Sequence, residues 1–149
     1  MKKILFTLLC SAFLIACNQN SHQQDLHEPE APENVQNKEL TLNNGAKWKA
    51  DSVTNQNVVN LKTIVDNFRT KPFPSLNEYH LLSADLGNGL NQMVQQCKMT
   101  GPDHEALHHW LEPILQENKN LKEVSDTLNG RKIFHSIDKR IDDYHNYFE

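Results

Sequence analysis

Only three cysteines occur among the 149 residues, and their positions leave no pair to cross-link. Cys10 lies inside an N-terminal apolar run and Cys17 at its end, so Cys97 stands alone in the remainder. An intramolecular disulfide framework is thereby excluded, and a packed core must hold the fold. Positive charge is scarce as well: 15 Lys and Arg stand against 19 Asp and Glu. A mildly acidic chain has no electrostatic footprint for nucleic acid, nor for anionic lipid. Cys-x-x-Cys-His is missing, which excludes covalently attached c-type haem. A noncovalent haem between Met93 and His80, His104 or His108 would need a large apolar slot that no pattern here announces. Strand-like alternation is missing too, beyond a brief Leu40-Thr41-Leu42 piece before the turn residues Asn43-Asn44-Gly45.

What the chain does have begins at its first residue. Met1-Lys2-Lys3 gives a positive start, and Ile4 to Ile15 form an apolar run. The run is too short for a comfortable membrane span of about 20 residues and reads as an export signal. Its end, Leu14-Ile15-Ala16-Cys17, resembles the lipobox of bacterial lipoproteins. The resemblance implies cleavage before Cys17, lipid on the thiol and amine of that residue, and stable anchoring through several acyl chains. Asn18, where an aspartate would imply inner-membrane retention, favours the outer membrane by the same family rule. The bundle would then lie in the periplasm or at the cell surface, with lipid on Cys17 as its membrane partner. Loss of Lys2 and Lys3 takes the formal charge from −4 to −6.

From Asn18 to about Glu39 the chain is Asn, Gln, Glu, Pro, Ser and His with almost nothing to bury. Such a composition predicts a flexible tether over 17–39, after a signal over 1–16. Residues 40–149 suffice for one small domain. Within it Val58, Leu61, Val65 and Phe68 recur at helical spacing, with Asp51, Ser52 or Thr54 as candidate caps. Lys71-Pro72-Phe73-Pro74 breaks that helix. Ser75, with Glu78 three residues on, has the form of a capping box. Leu76, Tyr79, Ser83, Leu86, Leu90, Met93 and Cys97 then follow steps of three and four, a seam that ends on Cys97. Pro102 suits the first turn of a third helix, expected to run through Leu107, Trp110, Ile114, Leu121, Val124 and Leu128 with a kink or break at Pro113. Asn129-Gly130 reads as its stop, and Phe134, Ile137, Ile141, Tyr144 and Phe148 as a fourth helix. Four such stretches with short connections predict an all-α, up-down four-helix bundle.

Potential ligands are densest between Cys97 and His109. His104 and His108, four residues apart, share one helical face and can close on one ion. Cys97 lies just across a short turn with Met99 in it, and the fourth helix should return His145 to the same end. Soft sulfur with imidazole suits copper, and nitrogen with thiolate suits zinc. The competing reading makes Cys97 an ordinary buried cysteine and the histidines solvated. The run Cys97, Met99, Gly101, His104 and His108 also weakly resembles a motif of uncharacterised helical lipoproteins of Bacteroidetes-type bacteria. Some of those look associated with metal handling, which implies metal roles for Cys97, Met99, His104 and His108. His104-Glu105-Ala106-Leu107-His108 matches by letter the zincin pattern, in which the histidines hold zinc and the Glu activates water. No edge strand for a substrate accompanies it, so the chain reads as non-enzymatic. A structural or adaptor lipoprotein serving an envelope protein partner, without ligand, is the alternative function.

Overall fold

The computed structural model describes residues 39–149. The signal over 1–16, the lipidation at Cys17 and nearly all of the 17–39 tether lie outside the described residues.

Four long helices form an all-α bundle: α1 Ser52–Arg69, α2 Leu76–Gln96, α3 Pro102–Lys122 and α4 Thr127–Asp142, followed by a single turn, α5, Tyr144–Tyr147. Each helix packs on its neighbour in sequence and α4 closes back on α1, as short connections require of antiparallel neighbours. The starts are set by side-chain caps. Asp51 accepts from the Thr54 amide at 2.7 Å, and that backbone bond holds its carboxyl below the usual range, with the Lys98 amide adding to the effect. Ser75 and Glu78 satisfy each other's backbone amides in the expected capping box. The seams bury Leu61, Val65, Leu86, Leu90, Ile114, Leu121 and Ile137 almost completely.

The stretch from α3 into α4 corrects three expectations. The third helix ends at Lys122, not beyond Leu128, because Asp126 caps a new helix by accepting from the Asn129 amide at 2.8 Å. Leu128 is accordingly exposed on the first turn of α4. Asn129-Gly130 therefore lies inside α4 and stops nothing. Pro113 does not interrupt α3; it forgoes only the bond its missing N–H would have made to the His109 carbonyl.

Gly130 serves packing. A Cβ there would fall 2.8 and 2.9 Å from Cδ2 and Cγ of the buried Tyr79 ring. Glycine thus lets α4 approach α2 across the bundle. Gly130→Ala should cost stability. Overpacking of about 1–3 kcal/mol outweighs the helix-propensity gain of about 1 kcal/mol. A urea midpoint that rises in this variant would contradict the placement.

The two ends of the described residues meet at one end of the bundle. Asn43 and Ala46 exchange both backbone hydrogen bonds at 2.9 Å around Asn44 and Gly45, both at positive φ, the two-residue turn such a pair favours. Trp48 then lies parallel to Phe148. The Trp48 amide donates to the Tyr147 carbonyl at 2.8 Å, and the Glu149 and Ala50 amides continue the ladder at 3.0 Å. Phe148 is fully buried and stacks on Tyr144 at 4.8 Å between ring centroids. It belongs to this extended clasp, not to the last helix. Tyr144 donates to Asn55 at 2.9 Å, and burial pushes its phenol pKa well up.

Candidate metal centre

The ligand-bearing segment starts where Gly101 turns the chain at φ +72°, a conformation open to glycine at little cost. Pro102 begins α3, and the Asp103 carboxylate accepts from the Lys49 amide at 2.9 Å. The first turn of α3 is thereby pinned to the clasp. His104 and His108 follow on one edge, with Nε2 atoms 3.1 Å apart and rings inclined at 76°.

That separation has chemical meaning. Two donors each about 2.05 Å from one ion, at a tetrahedral angle, sit about 3.3 Å apart. The imidazoles therefore converge nearly as a chelate requires, with no change of backbone. Behind His108, Nδ1 lies 3.4 Å from Glu112 Oε1. Donation from Nδ1–H to that carboxylate leaves the Nε2 lone pair of His108 facing His104, a tautomer assigned from the contacts. A carboxylate behind a ligating histidine is the usual support of an imidazole–metal bond. Glu112 was missed in the sequence, although its place four residues after His108 was the signal. As an ion pair it is worth little, because both side chains are about half exposed, 52% and 48%,.

Cys97 stands across the seam. Ser83 donates to the Asn118 carbonyl at 3.0 Å, and Asn118 returns a bond to the Ser83 carbonyl at 3.1 Å. Counting fourteen residues forward from Ser83 and fourteen back from Asn118 reaches Cys97 and His104, which therefore lie at one level of the antiparallel pair. Cys97 is a free thiol, half-buried, ending α2 with its amide on the Met93 carbonyl. It packs on the core, as does Met99.

The five-residue ligand set is not assembled. Among the described residues no three His, Cys, Asp or Glu side chains are grouped to hold one metal ion. His145 does return to the expected end of the bundle, but to the wrong side of α3. The imidazole pair is on the edge toward α2, whereas α4 packs on the other edge, where Trp110 donates to the Arg140 carbonyl. His145 is exposed beside Tyr144. His109 and Glu105 turn elsewhere again, lining a recess of about 130 Å³ with Trp48 and Leu40. His80 binds the Val124 carbonyl at 2.9 Å.

None of the described helices is long and apolar enough to cross a membrane. No protein-family model, no curated protein and no solved structure matches this chain.

Proposed function

We propose that this chain is a lipid-anchored protein of the cell envelope, held at the outer membrane through Cys17, that binds zinc or copper for sequestration or transfer. The observation that carries the reading is the convergence of His104 and His108 on a 3.1 Å Nε2 separation with Glu112 behind one ring. Two imidazole nitrogens suit Zn(II) and Cu(II); Cu(I) would call on the thiol of Cys97 or the thioether of Met99 as well. Only neutral imidazoles ligate, so protons compete with the ion for the same nitrogens and affinity falls as the solution is acidified. With two ligands from one chain, two positions of a tetrahedral shell are left for other donors.

The test is a competition titration, with Zn(II) and Cu(II), of the chain from Asn18 onward, which omits only the lipid-bearing Cys17 of the mature form. Residues 39–149 enclose a complete core with both ends tied to it, so this chain retains its fold. Either single change, His104→Ala or His108→Ala, should weaken binding at least about tenfold, and the double change should abolish it. Glu112→Gln should cost about 10-fold or more, the usual loss when the group behind a ligand is removed. Full binding in the double variant, or none in the parent, sinks the reading and leaves a structural or adaptor lipoprotein.

A further inference from the structure

Half of a tetrahedral shell invites the question of what supplies the other half. Beside the imidazole edge lies a surface unlike the rest of this acidic chain. From Leu86 to Cys97, α2 carries no Asp, Glu, Lys, Arg or His. Its exposed positions there are amides and one aliphatic, with Val94 53% exposed one turn before Cys97. On α3, Leu115 extends the same face at 37% exposure, and Lys119 and Lys122 line its far end, away from the imidazoles.

An uncharged exposed face matters most for pairing with an identical copy. In a twofold interface the same patch meets itself, so charges of one sign are brought near their own images. Like-charge juxtaposition costs several kcal/mol. A chain with net negative charge therefore self-associates best through a face whose α2 half, beside the imidazoles, carries no charge. On this face the imidazole pair stands at the edge, His104 partly and His108 more fully exposed, with Glu112 supporting His108.

We propose that a second copy of this chain completes the site: one Zn(II) bridges two bundles across their α2–α3 faces, held by His104 and His108 from each. The proposal rests on the metal reading above, and it goes further in assigning the remaining ligands. Four imidazole nitrogens fill a tetrahedral zinc shell. Val94 and Leu115 lose water as the faces meet, and a small contact area suffices because the ion supplies the binding energy. Lipid anchoring would favour the same pairing by raising the local concentration of copies.

The experiment is sedimentation velocity of the same lipid-free chain from Asn18, under reducing conditions, during titration with Zn(II). The expected result is a shift from one chain to two at one ion per two chains, reversed by a chelator and absent in His104→Ala. Val94→Glu, an exposed change that leaves the core intact, should weaken pairing at least about tenfold and leave a single-chain site of lower affinity. Cys97→Ser should pair as the parent does. One ion per chain without pairing overturns this proposal and leaves the metal reading standing, whereas no bound ion overturns both. Pairing that ignores zinc, or that vanishes in Cys97→Ser, overturns the four-imidazole bridge.

Discussion

Replacing Trp110 by alanine should cost about 3–5 kcal/mol, the range for emptying a large aromatic site. Trp110 is only 2% exposed and sits where α3 meets α4 and the terminal turn. Its ring meets Tyr144 edge-on at 4.9 Å between centroids, and its Nε1–H donates to the Arg140 carbonyl at 2.9 Å. Three losses therefore coincide: the buried surface, the aromatic contact, and the donor that satisfies Arg140. The last is costly in itself, because a buried acceptor without its partner loses its solvation as well. Small domains have about 5–15 kcal/mol in total, so the variant should be largely destabilised. Equilibrium urea unfolding followed by far-UV circular dichroism would show the midpoint falling by about 2 M, given slopes of about 1–3 kcal/mol per molar. Trp110→Phe should cost distinctly less, since it keeps a ring and loses the donor. A loss below about 1 kcal/mol in Trp110→Ala would mean that this residue does not fill the junction.

Deleting Tyr147 to Glu149 should be nearly as damaging, and in a more local way. Phe148 alone accounts for about 3–5 kcal/mol on removal from a fully buried site, and its departure bares the face of Tyr144. The deletion also removes the partners of the Trp48 and Ala50 amides and of the Trp48 carbonyl. Residues 40–50 then keep the Asn43–Ala46 turn and the Trp48 indole bond to the Thr41 carbonyl, but are tied to the helices only through the Lys49 amide on Asp103, the Asn55 side chain on the Ala50 carbonyl and their apolar packing. Hydrogen exchange should register this as fast exchange at Trp48 and Ala50 while the centres of α1 and α2 stay protected. Unchanged protection at those two amides would show that the clasp does not depend on the last three residues. The imidazole pair should lose affinity in the same variant, because Lys49 ties the first turn of α3 to the clasp.

The helices were legible because their signals are local. Ser75 with Glu78, and the three- and four-residue steps from Leu76 to Met93, require no knowledge of the rest of the molecule. The break between α3 and α4 was not, since Leu121, Val124 and Leu128 keep an apolar rhythm across it. Only the capping strength of Asp126 over Asn129 decides there. Gly130 misled for a related reason. A glycine after an asparagine is a common helix stop, but this one answers to the Tyr79 ring on another helix. At the candidate site, the His104–His108 pairing followed from helical spacing, and the level of Cys97 followed from an antiparallel turn. The side of α3 on which His145 would arrive depended on the handedness of the bundle, which spacing does not encode.

The parallel pairing of Trp48 with Phe148 also governs how the molecule bears force. Toward residue 39 the chain leaves one end of this short ladder, and toward residue 149 it leaves the opposite end. Tension between the two ends of the folded part therefore pulls along the ladder and loads its three hydrogen bonds together, in shear, instead of peeling them apart one by one. The helices lie outside that line of force and carry none of it until the clasp gives way.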